Sequence, residues 1–276
     1  MIEVRDLRFG YVPEVDILKD INFAIEAGEF IALGGCNGCG KTTVTRLLTG
    51  LEQPKGGKIF YNGKDITTVP AYERGKFIGY VFQQPDRQMF KGTVKEEVAF
   101  GPQQLGFSET EVEQIVQDAM VKAGVSHLAD EYPPLLRRGE KQRVAIASAL
   151  AMQSKLLILD EPTSGQDGKE TSELLVLLNE LLTDGLSILL VTHDMEVIAS
   201  HCTRAIVIGH GTKAFDGTPE ELFTACEELT ELGLTKPPCV ELAETVPGLG
   251  YCKSMEEFTT KLLVFKNQSL GGITNV

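Results

Sequence analysis

The chain has 276 residues, 42% apolar and 24% charged, with a formal net charge of -13 and a sequence pI near 4.9. That length supports one sizeable α/β core with a small addition, and the acidic balance argues against the basic face that nucleic acid requires. No apolar run approaches the ~18 residues of a membrane span, no basic-then-apolar leader precedes the first strand, and six scattered cysteines read as reduced thiols, so a cytoplasmic location is expected.

Short apolar segments at Ile2 to Val4, Ile21 to Ile25 and Phe30 to Leu33, punctuated by Pro13 and Ala27-Gly28, read as strands. The third is apolar on both faces, the pattern of a central buried strand, and runs into Gly34-Gly35. A helix is expected from Lys41 to a stop at Gly50. Asn62-Gly63 marks a hairpin turn, and residues 78–82 form another buried-strand candidate. From about Thr93 to Met152 the pattern is helical, with capping boxes at Thr93/Glu96 and Ser108/Glu111. After Ser108, Val112, Ile115, Val116, Ala119, Met120 and Ala123 share one helical face.

Sheet resumes at Leu156 to Leu159, followed by a helix from about Lys169 to Leu182 and strands at Ser187 to Val191 and Arg204 to Ile208. This alternation predicts a parallel sheet with crossovers. Beyond Gly217, Thr218-Pro219-Glu220-Glu221 opens a helix in a tail that is acidic and interrupted by Pro237-Pro238 and Pro247-Gly248. It reads as a small C-terminal appendage.

Chemistry is concentrated at three strand ends. Gly35-Cys36-Asn37-Gly38-Cys39-Gly40-Lys41-Thr42 completes the pattern G-x-x-x-x-G-K-[ST] between a buried strand and a helix. Glycines let such a loop wrap phosphate oxygens, its amides and the helix N-terminus supply partial positive charge, and Lys41 adds a full one. These eight residues and Thr43 form the candidate ATP-binding set, with the Thr42 hydroxyl directed to Mg²⁺. Residues 156–161 end an apolar strand in two carboxylates: Asp160 is placed to hold Mg²⁺ and Glu161 to polarise an attacking water. His193, just past Val191-Thr192, is the candidate partner of the γ-phosphate or of that water. Cys36-x-x-Cys39 lacks a second pair at zinc-ligand spacing. Its position at a helix N-terminus favours thiolate, which raises oxidation-sensitive ATP binding beside the plainer reading of two space-filling side chains.

With these motifs in place the sequence resembles the ABC ATPases over nearly its whole length. Val81-Phe82-Gln83-Gln84-Pro85 resembles their Q-loop, which implies that Gln83 senses Mg²⁺ and the γ-phosphate beside the surface that meets a transmembrane partner. Residues 160–167 resemble the Walker B run and D-loop, Thr192-His193-Asp194 the switch histidine, and Tyr11 sits where the family stacks an aromatic ring on adenine. Within the family, residues 85–90 and 98–102 and the C-terminal extension resemble the ATPases of energy-coupling factor importers of vitamins and transition-metal ions.

The resemblance implies a P-loop α/β nucleotide-binding domain over residues 1–216, an inserted helical subdomain over about 91–153, and an acidic appendage over 217–276. It also implies ATP hydrolysis at the cytoplasmic face of a membrane, with integral membrane subunits and a second ATPase subunit as partners. One motif departs from the pattern: the signature Leu-Ser-Gly-Gly falls at Leu136-Arg137-Arg138-Gly139, and Gln166 replaces the usual D-loop leucine. Arg137 and Arg138 should crowd a partner's γ-phosphate, which favours a heterodimer over a homodimer. A regulatory nucleotide binder with little turnover and a non-transport ABC ATPase are the alternatives, and the poised Glu161 and His193 speak against the first.

Overall fold

The N-terminal strand β1 (Ile2–Phe9) lies between β2 (Leu18–Ile25) and β4 (Gly56–Tyr61), antiparallel to both, and β4 turns back into β5 (Lys64–Asp65). Asn62 and Gly63 at that turn have φ of 48° and 78°, the left-handed conformation that a two-residue hairpin needs. The computed structural model describes residues 1–226 and 229–271, with side chains as far as residue 266.

A second sheet holds β3 (Phe30–Gly34), β6 (Ile78–Val81), β7 (Leu156–Asp160), β8 (Ser187–Val191), β9 (Arg204–Gly209) and β10 (Thr212–Gly217) in the order β10-β9-β3-β8-β7-β6. From β9 to β6 all pairs are parallel, so Gly34, Val81, Asp160 and Val191 end their strands at one edge. In an open parallel sheet that edge is where ligands bind. Every residue of β3, β7 and β8 is buried, as the apolar runs at 30–33, 156–159 and 188–191 lead one to expect, and the polar Asp160 and Ser187 are buried with them. β10 departs from the purely parallel expectation. It pairs antiparallel with β9 at the sheet margin, and its polar, partly exposed residues carry no apolar periodicity.

Helix α1 (Lys41–Thr49) follows β3, and its far end is held by an arginine that the sequence does not advertise. Arg74, the last residue of the short helix α2 (Ala71–Arg74), is fully buried. Its guanidinium donates to the carbonyls of Leu47, Leu48, Thr67 and Val69 at 2.7, 2.9, 2.8 and 2.8 Å. Two of these are last-turn carbonyls of α1, which have no partner inside the helix.

Helices α3 (Val94–Gln104), α4 (Glu109–Lys122) and α5 (Arg138–Ala151) pack around an apolar cluster that includes Val98, Val116, Met120 and Val144. The capping boxes at Thr93/Glu96 and Ser108/Glu111 open α3 and α4. Next come α6 (Gly168–Thr183) after β7, α7 (Met195–His201) after β8, and α8 (Pro219–Ala225), α9 (Pro238–Glu244) and α10 (Met255–Gly271) in the tail. The tail is not a separate body along its first part. Leu222, Phe223, Leu229, Leu232 and Leu234 join the same core cluster as Phe30, Leu157 and Leu190. Gly233, with φ of 70°, reaches the loop between β3 and α1, where a Cβ on it would lie 2.8 Å from the Cβ of Cys36. Ala243, Leu249 and Cys252 form a smaller cluster of their own.

Candidate nucleotide-binding and catalytic site

The loop from Gly35 to Gly40 joins the end of β3 to the start of α1, and glycine is required within it. Gly35 and Gly40 have φ of 132° and 111°, and a Cβ at Gly35 would lie 2.2 Å from the carbonyl oxygen of Ile208. Lys41 is buried and donates through Nζ to the carbonyls of Gly35 and Cys36 at 2.8 and 3.0 Å, so its ammonium lies inside the loop's own arc. Asn37, Gly38 and Thr42 are exposed, whereas Cys39 and Thr43 are buried. Burial pushes the Cys39 thiol up, outweighing the nearby Lys41 charge. The expected thiolate preference at this helix N-terminus therefore does not hold for Cys39.

Asp160 ends β7 with its carboxylate buried, and Oδ2 accepts from the Tyr80 hydroxyl at 3.1 Å. Burial raises its pKa from the ordinary carboxylate value, opposed by hydrogen bonds from Thr42 and Tyr80. The Tyr80 hydroxyl also lies 3.2 Å from Oγ1 of Thr45 on α1, and burial first, then the Asp160 charge, pushes its own pKa up. Tyr80 thus ties the carboxylate to the helix of the phosphate loop. The sequence marked it only as part of a buried strand, and a tyrosine hydroxyl carries no motif that could have singled it out.

Glu161 is held at φ of 47° with its N–H on the carbonyl of Val191 at 2.9 Å. Its Oε2 accepts from Gln83 Nε2 at 2.7 Å, and its Oε1 lies 3.4 Å from His193 Nδ1. Three residues read separately from the ends of β6, β7 and β8 are therefore one cluster. Tyr11 is 54% exposed and meets Phe9 edge-on at 5.0 Å, leaving much of its ring open.

The oxygen donors Asp160 and Thr42 suit a hard cation. Among the described residues no group of three or more His, Cys, Asp or Glu could hold a metal alone, so a cation here would take its remaining ligands from phosphate and water, as Mg²⁺ does. A buried carboxylate beside a buried ammonium and a glycine-rich loop at a helix N-terminus can bind a polyphosphate–Mg²⁺ complex, with Glu161 and His193 placed to orient a water.

The departing signature lies at the start of α5. The backbone N–H of Arg137 donates to Glu140 Oε2 at 2.8 Å. Arg138 folds over Gly165, where a Cβ would lie 2.6 Å from Nη1. Its side chain is thus laid on the loop after β7 of its own chain rather than extended away from it.

Comparison with known proteins identifies the family and the fold. The family model described as ABC transporter matches residues 18–164. An energy-coupling factor transporter ATP-binding protein, EcfA2 of Caldanaerobacter subterraneus, is 45% identical over 250 residues, covering 88% of this chain and 87% of that protein. Among solved structures, CbiO1 from Clostridium perfringens, described as part of the ABC transporter complex CbiONQ, superposes with a TM-score of 0.76 at 35% identity. That match covers 88% of this chain and 98% of CbiO1. The ATP-binding cassette MJ0796, solved as a dimer bound to ADP and phosphate, gives 0.70 at 27% identity over 79% of this chain and 99% of the cassette. The chain belongs to the ABC transporter family, as an ATP-binding ATPase subunit with the ABC-type P-loop fold. Within that family it resembles the energy-coupling factor ATPases and CbiO.

Proposed function

We propose that the chain is the peripheral motor subunit of an energy-coupling factor importer of vitamins or transition-metal ions, working on the cytoplasmic face of a membrane. Lys41, Thr42, Thr43 and the loop from Gly35 to Gly40 hold the ATP phosphates, Tyr11 stacks on adenine, and Asp160, Thr42 and Gln83 are the residues that would hold Mg²⁺. Glu161, steadied by Gln83 and His193, accepts a proton from the attacking water. Mg²⁺, when bound, neutralises charge developing on the phosphoryl oxygens. Catalysis by this chain's own residues consists of positioning and charge: Lys41 and the amides hold the γ-phosphate in line, and Glu161 and His193 fix the water. The observation that carries this reading is the convergence of Gln83 and His193 on the two oxygens of Glu161.

Partners follow from the surface next to Gln83. A groove of about 270 Å³, lined by Leu51, Phe82, Phe90, Phe100 and Met152 among others, opens beside the Gln83 segment. Phe90 at its edge is 63% exposed, and no helix among the described residues is long and apolar enough to cross a membrane. An apolar groove on such a subunit suits a helix of an integral membrane subunit. A second ATPase subunit completes the assembly, with a heterodimer favoured by Arg137 and Arg138. The test is ATP turnover by the chain alone and after co-purification with its membrane subunits. Stimulation that Glu161→Gln abolishes supports the reading, whereas nucleotide binding without turnover in either state refutes the motor role.

A further inference from the structure

The phosphate loop contains two cysteines, and the structure sets them at the two ends of one tight turn. The N–H of Cys39 donates to the carbonyl of Cys36 at 3.3 Å, closing a turn whose end Cα atoms lie within about 7 Å of each other, near the reach of a disulfide. Both side chains belong to this one turn of the phosphate loop. Both are confined by glycines: a Cβ on Gly233 would lie 2.8 Å from Cys36 Cβ, and one on Gly35 would lie 2.7 Å from Cys39 Sγ. Cys36 is half-buried and Cys39 is buried.

We propose that Cys36 and Cys39 form a reversible disulfide that lowers the affinity of the loop for ATP, a redox modification site within the phosphate cradle. The oxidant is a peroxide. Cys36, the less buried of the two, attacks the peroxide O–O bond as thiolate, giving a sulfenic acid and, with its proton and hydrogen peroxide, one water. Cys39 then attacks the Cys36 sulfur, the S–O bond breaks, and the hydroxyl leaves as a second water with the Cys39 proton. In sum, two thiols and one peroxide give one disulfide and two waters, and a dithiol reductant reverses the change.

The cross-link fixes the Cys36 carbonyl in the position where it now accepts from Lys41 Nζ. Lys41 is thereby held on its own loop and withheld from phosphate. Losing one charge-assisted hydrogen bond to a phosphate corresponds to about tenfold or more in affinity. The same geometry means that bound nucleotide, by drawing Lys41 off the Cys36 carbonyl, protects the pair from oxidation.

This inference rests on the assignment of the loop to ATP phosphates, so the full-length purified chain is read in two independent ways. Mass spectrometry after hydrogen peroxide reports whether residues 36 and 39 are joined, and a fluorescent ATP analogue reports affinity before oxidation, after it, and after dithiothreitol. The expected result is a mapped 36–39 disulfide, an affinity loss of about tenfold that dithiothreitol reverses, and slower oxidation with ATP present. Cys36→Ser and Cys39→Ser are each compared with their own reduced state, and neither should change affinity on oxidation. Absence of the cross-link, an unchanged affinity once it has formed, or a loss that persists in both serine variants overturns the proposal. Reduced Lys41→Ala separates this from the parent assignment: if it binds ATP normally, the phosphate assignment fails whatever the thiols do.

Discussion

Replacing Arg74 by alanine should cost the fold several kilocalories, although this arginine touches neither the phosphate loop nor any carboxylate. Its guanidinium is fully buried and donates to four backbone carbonyls. Burial lowers its pKa to about 10, well above neutrality, so the group stays charged and its contribution is constant through the neutral range. A hydrogen bond from a charged donor contributes about 1.5–3 kcal/mol net. Four such bonds are not additive, and water entering the vacated space recovers part of the loss, so a destabilisation of about 3–5 kcal/mol is expected. For a chain of this size that corresponds to a drop in Tm of about 5–9 °C.

Arg74→Lys should fall between, because an ammonium cannot span four divergent acceptors. Arg74→Met should be no better than alanine, since it leaves the Leu48 carbonyl without its Arg74 donor and the Leu47 carbonyl with only the 3.3 Å bond from the Gly50 N–H. The assay is thermal unfolding of the nucleotide-free chain, followed by ATP titration at a temperature where each variant is folded. A Tm within about 2 °C of the parent for Arg74→Ala would refute the reasoning. ATP affinity should weaken as well, because α1 carries Lys41 at its other end.

Four further outcomes are expected. Glu161→Gln should retain ATP binding and lose turnover by about 10²–10⁴-fold, measured by single-turnover phosphate release; parental rates would remove Glu161 as the base. Asp160→Asn should raise the Tm of the chain in chelator. Burial raises the folded-state pKa of Asp160 above its unfolded value, so its contribution declines as pH rises through the carboxylate range, and at neutral pH the charged form is a cost that asparagine removes. The same variant should lose Mg²⁺-dependent hydrolysis, and a lower Tm would contradict the burial argument. Gln166→Leu should stabilise the chain by about 1 kcal/mol, because Oε1 of Gln166 is buried without a hydrogen-bond partner; a melting curve decides it. Arg137→Ser with Arg138→Gly should raise turnover of the chain assayed alone, and a decrease would make the arginines direct phosphate contacts.

The parts of the fold legible in sequence were those where local chemistry leaves few choices. Residues 30–33 are apolar on both faces and became the central strand β3, Asn62-Gly63 became a left-handed hairpin turn, and two S/T-x-x-E boxes opened α3 and α4. β10 was missed because a polar strand at a sheet margin has no period to read. The start of α5 was obscured by Gly139 and two arginines where a serine and glycine were expected. At the site, each motif was readable by itself, but the meeting of Gln83, Glu161 and His193 depends on the parallel register of β6, β7 and β8. Arg74 and Tyr80 act through tertiary contacts alone, and a lone arginine near a proline or a tyrosine in a strand gives no local sign of them. The thiolate expectation does not hold for Cys39 because burial of its thiol outweighs the nearby Lys41 charge.

The acceptors of Lys41 within its own loop set the terms on which a phosphate can be bound. A buried ammonium without acceptors would be intolerable in the interior, yet here two carbonyls of the preceding turn receive it. Nucleotide therefore does not fill a vacant charge; it exchanges one set of oxygen acceptors for another. Its net gain is the difference between phosphate and peptide oxygens, and a ligand with fewer phosphate charges is at a disproportionate disadvantage in that exchange.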